Sequence, residues 1–289
     1  MEERMKHLLK IATVLMVVSC FLAGNALAAK TARLAYVEWA RAVAITHVAG
    51  EILKKQGYKV KLQSVANAAM WASVASGDSD GLLCAWLPVT HADLAAKYAE
   101  KIVDLGPNYT GAKLGFVVPD YVTINSVTEM AAHMKEFDGK IIGIDPGAGM
   151  SKSIEKAIAE NTSGLGKFKY ISGSDAIMVA SLEQAIKKKE WIVVPGWKPH
   201  WMFGQWQLKI LNDPDGIFGS EETINTVVRK DLEKDDPELF AFFKNFDWKQ
   251  LPLDSVLVDN KKGMDPRKSA AKFVDDNWAA IEKQLHQGQ

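Results

Sequence analysis

Only two cysteines occur in 289 residues, which rules out a disulfide framework as the source of stability. Six histidines are present, but none fall in HxxxH spacing and no CxxC occurs, so there is no metal-ligand pattern and no cofactor is expected. Thirty-five Lys and Arg balance thirty-five Asp and Glu, which removes the basic excess that a nucleic-acid surface needs. A phosphate-binding Walker loop is missing too. The nearest stretch, DPGAGMSKS (Asp145–Ser153), would need glycines at 146 and 151 to place Lys152, and it holds Pro146 and Ser151. No linker rich in Pro, Gly or Ser divides the chain, and no repeat of solenoid period is visible. With 48% hydrophobic and 24% charged residues the composition is globular, and the length suits two modest domains or one large one.

Long apolar runs are also scarce. Ile11–Ala23 is too short to span a membrane comfortably. It follows Arg4, Lys6 and Lys10 and leads to the small-x-small site Ala26-Leu27-Ala28, so residues 1–28 read as a secretory signal and the mature chain as periplasmic. Val17-Val18-Ser19-Cys20 loosely resembles a lipoprotein box. Cleavage after Ala28 is preferred to lipidation of Cys20, because the apolar core continues past that cysteine. Removing the signal leaves 32 basic and 33 acidic residues and a single cysteine, Cys84, with no partner for an internal disulfide.

What remains alternates between strand and helix patterns. Strands are expected at Arg33–Val37, Tyr58–Val65, Gly81–Ala85 and Ala112–Val118. Helices are expected at Ala40–Lys55, Ala68–Ala75 and Ala92–Tyr98. A second series follows: a capping box at Ser126 and Glu129, strands at Lys140–Ile144, Phe168–Ile171 and Trp191–Val194, and a helix at Asp175–Lys189. After strands at Gln207–Leu211 and Thr223–Arg229 the chain reads as helical, with Pro237–Asn245, Leu253–Lys261 and Pro266–Leu285. This alternation predicts a parallel sheet covered by helices on both faces. Two series without a flexible linker predict two lobes joined by strands, moving about a hinge.

Two stretches could carry chemistry by their aromatics. GWKPHWMF (Gly196–Phe203) and AWLPVTH (Ala85–His91) each place Trp, Pro and His at the end of an apolar run stopped by Pro or Gly. A lone Trp is most simply core; two such clusters are read as facing each other across a ligand cleft. DPGAGMSKS, between a strand and a helix, points backbone N–H groups at a small anion such as a carboxylate, or needs its glycines only for the turn. Cys84 with His91 could be named nucleophile and base, but a cysteine inside an apolar strand is ordinarily inert core. An enzyme is therefore not expected. Convergent tryptophans without a carboxylate pair suit a quaternary ammonium group, which has no N–H to donate and is held by π faces. An anion-binding helix start beside them would complete a site for a zwitterion.

At these residues the chain resembles the glycine betaine or proline betaine-binding proteins of ABC importers, the substrate-binding components for compatible solutes. The strongest matches are AYVEWA (Ala35–Ala40), MWASVASGDSD (Met70–Asp80), AWLPVTH, GIDPGAGM (Gly143–Met150) and GWKPHWMF. INTVVRK (Ile224–Lys230) and GMDP (Gly263–Pro266) also match. The resemblance implies an α/β fold of two lobes, a periplasmic binding protein of type II-like form, with residues 29–118 and 207–289 in one lobe and 119–206 in the other. It implies a prism of Trp39, Trp86 and Trp197 around the ammonium, with His91 and the N–H groups of Gly149 and Met150 on the carboxylate. Trp71, His200 and Trp201 fall on positions read as structural. It further implies a monomer serving a membrane permease and ATPase. Glu38 and Arg41 flank Trp39 where many members differ, and a carboxylate there would favour a plain cation such as choline; carnitine, and a sensor role, are further alternatives.

Overall fold

The structure, a computed structural model, describes residues 30–287. The signal segment and Cys20 lie outside the described residues. Among the described residues no helix is long and apolar enough to cross a membrane.

The first half follows the sequence pattern closely. Strand β1 (Thr31–Tyr36) leads to helix α1 (Ala40–Lys55), β2 (Lys59–Ser64), α2 (Asn67–Ser76), β3 (Gly81–Leu87) and α3 (Ala92–Tyr98). Twelve of the sixteen α1 residues are buried, which its Ala- and Ile-rich composition permits. Lys54 and Lys55 in its last turn suit the negative end of the helix dipole. Helix α2 ends at Gly77, whose φ of +83° is left-handed and favours glycine.

Strand β4 (Ile102–Pro119) comes next, then β5 (Lys140–Ile142), α4 (Gly149–Ala159), β6 (Lys169–Ile171), α5 (Asp175–Lys188), β7 (Val194–Lys198), α6 (Met202–Gln205) and β8 (Leu208–Ile210). Strand β9 (Glu222–Arg229) precedes a helical end of α7 (Leu232–Asp235), α8 (Pro237–Asn245), α9 (Asp254–Lys261), α10 (Pro266–Asp276) and α11 (Trp278–Gln287). The Ser126–Glu129 capping box forms as expected, on a 3-10 helix.

The expected all-parallel sheet is corrected to a mixed one. The main sheet runs β2-β1-β3-β9-β4-β7, with β8 also on β4; β5 and β6 pair separately. Among the strands of the described residues, only β1 with β2, β1 with β3, and β5 with β6 pair in parallel. Strand β9 enters antiparallel between β3 and β4. Local periodicity identifies a strand but not the edge or direction in which a returning segment pairs.

Three other expectations change. Strand β4 starts ten residues before the expected Ala112, because Gly106, Pro107 and Gly111 break the apolar pattern; its pairing with β9 shifts register on either side of Pro107 and again before Ala112, as bulges do. The strand expected at Trp191–Val194 begins only at Val194, and Pro195 and Gly196 do not end it: they pair with Phe116 and Gly115 inside β7. Proline is tolerated there because β7 is at the sheet edge. The single terminal helix is two helices, broken at Asn277, whose side-chain amide donates to the Phe273 carbonyl at 2.8 Å.

Two apolar cores result. One gathers Trp71, Phe116, Met130 and Val193 around the junction of β3, β4 and β7. The other packs α1 against the C-terminal helices through Ile45, Leu53, Phe243 and Phe273. Buried Asp80 pins the sheet beside them. It accepts from the Arg33 backbone at 2.8 Å, the Arg33 guanidinium at 2.7 Å and Arg229 Nε at 2.9 Å, tying β1, β3 and β9. Removing one partner of a buried ionic cluster typically costs about 3 kcal/mol or more. Asp80→Ala is therefore expected to lower unfolding stability by about 3 kcal/mol in urea titration; a change below about 1 kcal/mol would contradict this account.

Candidate functional site

Each of the three tryptophans reaches one cavity from a different element. Trp86 lies within β3 and Trp197 within β7, so both are strand residues rather than the loop residues expected. Each is followed by a cis X-Pro bond, at Leu87–Pro88 and Lys198–Pro199. Trp39 occupies the N-cap position of α1. All three are at least nine-tenths buried. The cavity they share has about 270 Å³ of empty space, counting its open mouth.

Gly149 and Met150, in the first turn of α4, form the opposite wall. Ala148 at the N-cap position offers no side-chain cap, so the first N–H groups of this eleven-residue helix lack a side-chain acceptor. Gly149 cannot be another residue here. A Cβ would stand 2.2 Å from the Thr90 carbonyl oxygen, so helix and loop meet backbone to backbone. Thr90, Leu114, Ile144 and Ala148 complete the lining, and no acidic side chain belongs to it.

His91 does not line the cavity. It stands behind it, fully buried, stacked on Trp39 at 5.8 Å and edge-on to Trp71 at 5.7 Å. Its Nδ1 accepts from the Trp86 backbone N–H at 3.0 Å, which puts the proton on Nε2. Nε2 is buried without a partner, a donor awaiting an acceptor. Desolvation pushes the imidazole pKa down to about 3, so the ring is neutral at ordinary pH.

Several supports were not legible as such. Asp145 Oδ2 accepts from the Trp39 indole N–H at 2.8 Å. Asp175 Oδ2 accepts from the Ala40 backbone N–H at 3.0 Å, and its Oδ1 lies 3.1 Å from His200 Nε2. His200 stands edge-on to Trp197 at 4.9 Å. Sequence reading marked both aspartates as turn or helix starts, but Trp39 and Ala40 lie more than a hundred residues from them, and His200 lies 25 from Asp175. Trp71 is fully buried. Trp201 lies outside the cavity against Trp206 and Lys261. Glu38 is exposed and lines a separate surface depression with Val43 and Glu183, so its carboxylate does not face the tryptophans. Cys84 is buried beside Met70, and burial drives its thiol pKa up to about 12, which leaves no nucleophile.

The substrate-binding domain of ABC-type glycine betaine transport systems matches residues 30–276 of this chain. The chain belongs to this family. A glycine betaine/carnitine transport binding protein of Listeria monocytogenes is 37% identical over 143 residues, half of this chain and 48% of that protein, so the match spans about half the relative's length. Solved members superpose over nearly the whole chain. Lactococcal OpuAC, closed around glycine betaine, gives a TM-score of 0.82 at 37% identity, covering 89% of this chain and 99% of that one. ProX from Borrelia burgdorferi gives 0.83 at 36%, covering 90% and 100%. A choline-binding protein with choline bound gives 0.83 at 28%, covering 89% and 92%. The two-lobed α/β architecture of the family is the fold found here.

The neutral buried His91 has a consequence for acid stability. Its folded pKa lies below the unfolded value near 6.5, so below that pH the unfolded chain binds a proton that the folded chain does not. Stability therefore falls as pH drops from 6.5 toward 3. At pH 5 the loss from this group is roughly 2 kcal/mol relative to pH 7. His91→Gln is expected to lose about that much less between pH 7 and 5 in urea titrations. Equal losses in both proteins would show that the imidazole is not held neutral.

Proposed function

We propose that this protein is the extracytoplasmic solute-binding component of an ABC importer and captures glycine betaine or a closely related quaternary ammonium zwitterion. The carrying observation is the cavity wall: three indoles and no carboxylate, closed by a helix start without a side-chain cap. In this reading the trimethylammonium group rests among Trp39, Trp86 and Trp197, where π faces replace its hydration. The carboxylate takes the N–H groups of Gly149 and Met150, and the Nε2–H of His91, which has no acceptor among the described residues, is drawn in from behind the wall when the ligand binds. In this reading the ligand is held and released unchanged.

The division into lobes of residues 29–118 with 207–289, and 119–206, fits this role. The two crossings would then run side by side, because Val118 of β4 pairs with Lys209 of β8. Trp39, Trp86 and His91 belong to one lobe, and Gly149, Met150 and Trp197 to the other. A ligand touching both favours the closed state, and that state is what a membrane permease and its ATPase would recognise. A secreted monomer, delivered by the 1–28 signal, suits such a partner.

Choline is the second reading, raised by the choline-bound relative. It lacks a carboxylate and would leave the His91 and helix donors unused, and Glu38 faces away from the cavity. Isothermal titration with glycine betaine and with choline separates the two. Tight betaine and weak choline binding is expected; choline binding as well or better would overturn the carboxylate assignment while keeping the tryptophans. Trp197→Ala should weaken betaine binding at least about tenfold, because a desolvated cation–π contact is worth about 2 kcal/mol. Unchanged affinity would remove Trp197 from the site.

A further inference from the structure

Arg41 follows Trp39 by two residues, yet its side chain serves neither the cavity nor an ion pair. It is 6% exposed. Its guanidinium carbon lies 5.1 Å from the centre of the Tyr109 ring, and Nη2 donates to the Asn108 carbonyl at a long 3.4 Å. Nη1 is buried with no acceptor. Among the described residues no carboxylate pairs with it, and the groups that act on its charge are the Tyr109 phenol and the Cys84 thiol. A buried cation without a counter-charge is costly. Burial lowers its pKa only to about 10, so it remains charged.

Arg41 also borders a second cavity, lined by none of Trp39, Trp86 and Trp197, with about 800 Å³ of empty space counting its mouth. Thr110 of β4, Lys249 and the start of α9 form further walls. Helix α9 has Leu253 at its N-cap position and no side-chain cap, so its first N–H groups lack a side-chain acceptor. Asp254 is the one acid on the lining, and it is exposed. Two cationic side chains and a helix start thus surround the space, against a single solvated carboxylate. Asn108 does not complete Arg41. Its amide N–H groups donate to the Leu83 carbonyl and the Thr226 hydroxyl, both at 3.1 Å, and no hydrogen bond joins its Oδ1 to the guanidinium.

We propose that this cavity binds a small monovalent anion, chloride or a carboxylate, with Arg41 as its principal ligand. The Thr110 hydroxyl and the start of α9 supply further donors, and Lys249 screens the mouth. The bound anion joins α1, β4 and the 248–254 segment, which otherwise meet around an uncompensated charge. The site is independent of the solute reading above.

The test is thermal unfolding of the purified protein in sodium chloride, sodium acetate and sodium gluconate at one ionic strength, without betaine. At ten times its dissociation constant, a bound anion raises Tm by about 2 to 4 °C for a chain of this size. A rise in chloride alone indicates a halide-sized site; a rise in acetate alone, or in both, indicates one that accepts a carboxylate. Either should be lost in Arg41→Met. Crystals grown in sodium bromide should show anomalous density against the guanidinium, which decides the matter if Arg41→Met fails to fold. Thr110→Val is the milder variant and should reduce the shift. Equal Tm in all three salts with no anomalous density would overturn the proposal and leave Arg41 satisfied within the protein. A shift that persists in Arg41→Met would place the anion elsewhere and overturn it equally.

Discussion

The arrangement depends on one close approach, that of the Gly149 backbone to the Thr90 carbonyl. No side chain fits between them, since a Cβ at 149 would lie 2.2 Å from that oxygen. This contact brings the start of α4 against the turn that follows β3 and holds Thr90 and His91. Other bonds cross the same seam: Trp39 to Asp145, Asn67 to the Gly147 carbonyl at 3.2 Å, and Lys152 to Asp93 at 2.7 Å. The last pair is largely exposed and contributes little alone. The indole–carboxylate bond is less exposed and directional. It fixes the plane of Trp39 as well as its position, and the plane is what the proposed cation–π contact would need.

The proposed cavity for a diffuse cation would have to be electrically plain, and the acids Asp145, Asp175 and Glu222 are turned to other partners. Asp145 takes the Trp39 N–H, and Asp175 the Ala40 N–H together with His200. Glu222 takes the backbone N–H groups of Val89 and Thr90 at 2.9 and 2.6 Å, and its burial raises its pKa. Each carboxylate orients a wall instead of facing the interior. His91 follows the same logic by staying neutral, so that it supplies a donor without adding a cation behind Trp39.

The three tryptophans, His91 and the Gly149 turn were all legible in the sequence, because each sits in a short motif with Pro or Gly beside it. The two Trp-Pro-His clusters were also read as facing each other; the elements that carry them were misplaced. Trp86 and Trp197 looked like loop residues, since Pro and Gly near them read as strand ends; edge-strand pairing overrides that signal. The first ten residues of β4 were hidden for the same reason, as Gly106, Pro107 and Gly111 mark bulges and not an end. Direction within the sheet was invisible, because β9 has the same alternation whether it pairs parallel or antiparallel. Asp145 and Asp175 were visible as helix or turn starters, which is a local role; their action on Trp39, Ala40 and His200 exists only once the fold brings distant segments together.

Asp175 shows most plainly why position matters more than composition here. One carboxylate oxygen holds the start of the helix that presents Trp39, and the other lies against the ring that buttresses Trp197. His200 also accepts from the Met202 backbone through Nδ1 at 3.1 Å, which leaves Nε2 as the donor toward Asp175. Two indole walls from separate parts of the chain therefore share one buried acceptor. Buried hydrogen-bonded networks of this kind are coupled, since an unsatisfied member costs more than its own bond. The geometry of the cage is accordingly a property of the network behind it, not of the three rings taken singly.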